Sequence, residues 1–205
     1  MEELTHRREV LSQESDHRLM NNLTMIVSLL SLQSQTEANA EAASRLSIAA
    51  NRVATIARVH RHLHSMDGAQ IVRFKQYLDD LCRNYSIMLT SEMRPEQVIV
   101  VEGIEAELPT VIGIPLSLIA NELITNAIKH GEGRIAVKLE RQAGKGHALS
   151  VCNDGSVLPE DFDPGACEGL GMSLILGLVG QIGGELRIDR GETGEGTRFT
   201  VLFTC

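Results

Sequence analysis

Apolar residues along the first third of the chain recur at helical spacing, and along the last two thirds they switch repeatedly between helical and alternating periods. Leu19, Leu23, Ile26 and Leu30 stand at steps of four, three and four, which predicts one buried stripe on a helix over residues 3–33. A polar stretch, SQTEANAE, then connects to a second helix over 40–64, whose column Leu46, Ala49, Val53, Ile56, His60 and Leu63 has the seam of a helical hairpin. Two helices cannot bury both seams alone. A pair of such hairpins closes a four-helix bundle, so the pattern predicts a homodimer through the hairpin.

After SMDGAQ, read as a linker with turn residues Asp67 and Gly68, the pattern is mixed. Helices are predicted over 72–89, 109–130 and 171–182, and strands over 98–103, 134–141, 148–153, 185–189 and 197–203. The fold class predicted is α+β: an N-terminal hairpin, residues 1–65, followed over 70–205 by a mixed sheet covered on one face by helices.

Composition narrows the function. The net charge of −8, the absence of tryptophan and the presence of two tyrosines disfavour a nucleic-acid partner. The acidity is uneven: residues 1–64 carry seven basic and seven acidic side chains, residues 65–205 twelve and twenty. Cys82, Cys152, Cys167 and Cys205 have neither paired nor regular spacing, which points away from a disulfide framework and towards a reducing, cytoplasmic setting. The N-terminus is charged, and the longest apolar run, LPTVIGIPLSLIA, is interrupted by prolines, so no signal peptide or membrane span is expected.

Candidate chemistry begins with His17, a histidine beside an apolar stripe. Glu14, His17 and Asn21 share a helix face, bringing a carboxylate, an imidazole and an amide within reach of one another, while Asp16 lies about 100° round the helix. His60 and His64 are one turn apart and open to a metal, but together with His62 they sit where a helix end favours cations through its dipole. Downstream, NELITNAIKHG places Glu122, Asn126, Lys129 and His130 along a helix, a set suited to a nucleotide triphosphate: Asn126 and Glu122 offer oxygens to Mg, and Lys129 meets phosphate charge. Three glycine turns accompany it. Asn153, Asp154 and Gly155 follow a strand, Gly169 and Gly171 open a helix, and Gly194 and Gly196 precede Thr197 at the last strand. Free backbone N–H groups at such a helix start receive phosphate oxygens.

In this order these motifs resemble the ATP-binding domain of the gyrase, chaperone, histidine kinase and mismatch-repair superfamily. NELITNAIKHG resembles its N box, NDGSVLPEDF its G1 box, EGLGMSLI its G2 box and GTRFTVLF its last strand. DHRLMNNLTMIVSLLSLQ resembles the phosphoacceptor helix of the HRxxN histidine kinases, related to the HWE type. The resemblance implies a GHKL-type ATP-binding fold, ATP and Mg as cofactors, autophosphorylation of His17, and transfer to an aspartate of a response-regulator receiver domain. It also implies helper roles for Glu14 or Asp16 in taking the ring proton, for Asn21 in positioning water, and for Arg18 and Asn22 as signature residues. Two positions depart from the pattern. The aspartate that reads the adenine amino group falls on Asn153, with Asp154 one residue late, and the second G1 glycine falls on Val157. These departures support an alternative, an ATP-independent histidine phosphotransferase relaying phosphate between receiver domains.

Overall fold

The computed structural model describes residues 2–64, 71–91, 96–144, 146–159, 161–167, 170–191 and 194–205; the side chains of residues 2–17, 58–64, 91 and 170 also lie outside what is described. The chain divides into two compact units, 1–69 and 70–205.

The first unit is a helical hairpin of α1 (Glu2–Thr36) and α2 (Ala40–His64). Its turn is built from local polar contacts. Asn39 Oδ1 accepts hydrogen bonds from the backbone N–H of Glu41 (2.9 Å) and Ala42 (3.1 Å), so Asn39 caps α2. The Ser34 hydroxyl donates to the Ala43 carbonyl at 2.7 Å and ties the two helices together beside the turn. The stripe differs from the expected one. Met20, Leu23, Val27 and Leu30 are the half-buried side of α1, while Leu19 and Ile26 are exposed, as are Met25, Leu29 and Leu32. One partner helix covers only a narrow arc, so a wide apolar face keeps a second side open. The candidate linker, residues 65–70, and the side chains of His60, His62 and His64 lie outside the described residues.

The second unit is a layered α/β structure. A five-stranded sheet runs in the order β2 (Val98–Gly103), β4 (Glu132–Arg141), β5 (Gly146–Asp154), β7 (Thr197–Thr204) and β6 (Glu185–Arg190), with β2 parallel to β4 and the other pairs antiparallel. Alternation decides which face is covered. Ile135, Val137 and Leu139 of β4, Leu149 and Val151 of β5, and Val201 and Phe203 of β7 are buried, beneath α3 (Phe74–Ser91), α4 (Thr110–His130) and α5 (Leu170–Gln181). A small ribbon of β1 (Ile71–Arg73) and β3 (Glu107–Pro109) was not foreseen, since the expected helix over 72–89 absorbed its first strand. Three residues are too few for a periodic signal.

Helix α4 is the core element. Leu116, Ile119, Leu123 and Ile124 are at most 1% exposed, and the helix begins after Pro109 rather than on it. By length and hydropathy α4 alone among the described helices reaches the range of a membrane span, against the expectation of none, but 72% of the tested window is buried inside the unit, as in the core helix of a globular domain. At its other end the Gln97 side chain donates to the carbonyls of Ile128 and Gly131, both at 3.1 Å, closing the helix next to β4.

Candidate active site

Where the C-terminal half of α4 crosses the inner face of β5 and β7, a cavity of about 520 Å³ opens, within the usual range for small-molecule sites. Helical spacing brings Leu123, Asn126, Ala127 and His130 to its wall, and strand alternation brings Val151 and Asn153 from β5 and Thr197 and Phe199 from β7. The loop after β5 and the start of α5 complete it, through Phe162, Cys167, Gly171 and Met172 among others. No carboxylate, ammonium or guanidinium stands among the described lining residues. The described lining is largely apolar, with a few polar groups that include His130.

Three of those polar groups are specifically placed. The Asn126 amide makes no hydrogen bond among the described residues and is half-buried at the wall. Asn153 and Thr197 are register partners across β5 and β7, 8% and 5% exposed. Thr197 Oγ1 donates to the Ser156 carbonyl at 3.3 Å, and Asn153 Nδ2 donates to the Asp154 carbonyl at 2.8 Å, leaving Asn153 Oδ1 as an acceptor for the cavity. Gly131 lets this amide sit under the end of α4, since a Cβ there would lie 2.5 Å from Asn153 Nδ2. Gly196 makes a closer approach still. Its φ of +73° and a hypothetical Cβ only 1.8 Å from the Asn153 carbonyl oxygen exclude any side chain where β7 begins.

Asp154 is engaged elsewhere. Its carboxylate accepts a hydrogen bond from the Arg134 backbone N–H at 3.0 Å, across the irregularity between Glu132 and Ile135 where β4 pairs with β5, and it is exposed outside the cavity. Of the two neighbours that the sequence left open, Asn153 is therefore the one at the cavity. The remaining candidates distribute as follows. Glu122 is buried (7% exposed), one turn before Asn126, and does not line the cavity; Lys129 is exposed and does not line it either. Gly155 accepts from the Gly196 N–H at 2.9 Å, joining the two glycine turns. Gly169 lies outside the described residues, as do the side chains of Glu14, Asp16 and His17, although their backbone belongs to α1. Asn21, Asn22 and Arg18 are exposed on α1. No group of three metal-ligating side chains is found among the described residues.

The motif segments contain most of the apolar wall, with Met172 inside EGLGMSLI and Phe199 inside GTRFTVLF, but the sequence singled out none of these apolar side chains as site residues. Val151 lies outside every motif, and only strand alternation around Asn153 would have pointed to it. The segment after Phe162 forms a 3-10 turn at Pro164–Ala166 that Asp163 caps by accepting from the Gly165 N–H at 2.8 Å. This turn carries Cys167 to the cavity wall.

Comparison with known proteins finds a model described as "Histidine kinase" matching residues 14–89 and one described as "Histidine kinase-, DNA gyrase B-, and HSP90-like ATPase" matching residues 112–204. The sensor histidine kinase PdtaS of Mycobacterium tuberculosis is 31% identical over 180 residues, covering 84% of this chain and 35% of its own length. Blue-light-activated histidine kinase 2 of Erythrobacter litoralis is 25% identical over 190 residues, covering 88% of this chain and 54% of its own length. The chain thus spans about a third to a half of these curated relatives. Among solved structures, the histidine kinase domain of the Erythrobacter litoralis EL346 blue-light activated histidine kinase superposes with a TM-score of 0.67 at 25% identity, covering 94% of this chain and 89% of that one.

Proposed function

The chain belongs to the histidine kinase family, and from that premise we propose that it is the catalytic core of a two-component sensor kinase, phosphorylating its own His17 from Mg-ATP and passing the phosphoryl group to an aspartate of a response-regulator receiver domain. The observation that carries this reading is the largely apolar cavity presenting Asn126, Asn153 and Thr197, in a chain whose first helix bears the His17 signature. An uncharged purine fits such a slot: its faces meet Val151, Met172 and Phe199, and its amino group meets the Asn153 acceptor.

The triphosphate belongs at the other end, near Asn126, His130 and the start of α5 at Gly171, with Lys129 close by to meet its charge. Asn126 would hold Mg, with Glu122 one helical turn before it. The metal would neutralise charge building on the phosphate oxygens. A neutral imidazole nitrogen of His17 attacks the γ-phosphorus, the bond to the bridging β–γ oxygen breaks, and ADP leaves. The ring proton passes to Glu14 or Asp16. The phosphoryl group then moves from the imidazole to the receiver's aspartate. Asn21, one turn beyond His17, is placed to orient water against the phosphorylated partner.

Two further parts of the reading follow from the hairpin and the composition. Leu19, Met25, Ile26, Leu29 and Leu32, exposed on α1, suit a second hairpin and hence a homodimer. The four free cysteines suit the cytoplasm. A second reading, phosphotransfer between receiver domains without ATP, is favoured by Asn153 in place of an aspartate, because a neutral acceptor binds an amino group less strongly than a carboxylate.

Incubation with γ-labelled Mg-ATP separates the two. Acid-labile label is expected on the wild type and absent from His17→Ala and Asn126→Ala. Label persisting in His17→Ala removes the acceptor assignment. An unlabelled wild type that takes label from a phosphorylated receiver selects the transfer module.

A further inference from the structure

Asn121 and Thr125 stand one residue ahead of Glu122 and Asn126 on α4, and both meet a single side chain of α3. The Tyr85 hydroxyl donates to Asn121 Oδ1 at 2.8 Å and lies 3.1 Å from Thr125 Oγ1. The Thr125 hydroxyl in turn lies 2.7 Å from the Asn121 carbonyl, one turn back along α4. Asn121 is 3% exposed, on a helix whose buried residues are mostly apolar, with Ser117 and Glu122 the other buried polar ones.

Apolar packing alone is a weak rotational constraint on such a helix, because similar side chains occupy every side of it. A buried amide with a partner in one direction supplies the constraint, since turning the helix would strand the amide. Consecutive helical residues are about 100° apart, so a helix pinned through 121 and 125 has the orientation of 122 and 126 fixed with it. Asn126 arrives at the cavity wall in the company of Leu123, Ala127 and His130, and Tyr85 itself does not line the cavity.

We propose that Tyr85 is a positioning residue for the nucleotide reaction: its hydroxyl, donating to Asn121 Oδ1 beside Thr125, sets the rotation of α4 and so aims Asn126 at the metal and phosphates. This rests on the reading that Asn126 meets Mg-ATP. Tyr85 falls inside the stretch matched by the histidine kinase model, which runs to residue 89, although it is folded into the second unit. The element that follows the hairpin in the chain therefore carries the contact that orients the helix of the ATP site.

The test is calorimetric titration of the full chain with ATP, once in Mg and once in EDTA, alongside thermal melting. Tyr85→Phe is expected to weaken Mg-ATP binding about fivefold, the equivalent of one net hydrogen bond, and to leave metal-free binding within about twofold. The double variant Tyr85→Phe/Asn121→Leu replaces both partners by apolar groups. It is expected to recover the wild-type melting temperature but not the Mg-ATP affinity. Equal losses in Mg and EDTA overturn the proposal, as does affinity that returns together with the melting temperature. A wild type that binds ATP in neither buffer overturns the underlying function as well, whereas a wild type and Tyr85→Phe that bind identically overturn this inference alone.

Discussion

Asn153 and Asp154 form a pair whose order matters. The Asn153 side-chain Nδ2 donates to the Asp154 carbonyl at 2.8 Å, and the Asp154 carboxylate accepts from the Arg134 backbone N–H at 3.0 Å. A carboxylate at 153 would have to turn away from the Asp154 carbonyl, so the amide makes a contact that an aspartate there would lack. Its role at the site is open to direct measurement. Asn153→Leu keeps the branched outline of the side chain, removes the acceptor, and is expected to raise the Kd for ATP about tenfold with an unchanged circular dichroism spectrum. Unchanged affinity would mean that the amide does not touch the base. The motif around Asn153 was legible in the sequence, but the choice between 153 and 154 was not. It depends on a strand irregularity twenty residues away at Arg134, which no local pattern reveals.

At the scale of elements, the long helices and the edges of the main strands were readable because each has a sustained period. The second helix was expected over 40–64 and is observed at Ala40–His64, and VIVVEG was expected as a strand over 98–103 and is β2. The three-residue β1 and β3 were not readable, since their pairing joins residues some 36 positions apart, with Val72 opposite Leu108. The start of β7 depends on a different constraint. Gly191, Gly194 and Gly196 exchange backbone hydrogen bonds, and Gly196 donates to Gly155. Gly196→Ala is expected to destabilise the unit by at least roughly 2 kcal/mol, because it combines a left-handed backbone with a clash against the Asn153 carbonyl. Urea denaturation followed by circular dichroism gives the value, and a change under about 0.5 kcal/mol would show that the turn rearranges freely.

For the whole molecule, the two units have different demands. The second buries its core within one chain, whereas the hairpin leaves five large apolar side chains exposed among the described residues of α1. The sequence showed that two seams could not both be buried, but its stripe was set one position too broadly, including Leu19 and Ile26 on the covered side. Periodicity gives the width of an apolar face and not which part of it the first partner takes. Sedimentation of the full chain at micromolar concentration is expected to show a dimer, and Leu29→Glu, placing a charge at an exposed position of that face, is expected to shift it to monomer. A wild type that sediments as a monomer at every concentration would assign the apolar face to some other partner.

The lining has a consequence for whatever enters the cavity. Among its described residues no carboxylate offsets the desolvation of a cation, so burial there lowers the basicity of a weak base. A weakly basic heterocycle would meet the Asn153 amide here, and its affinity should decline as the medium becomes more acidic, while a non-basic amino-substituted heterocycle keeps its own.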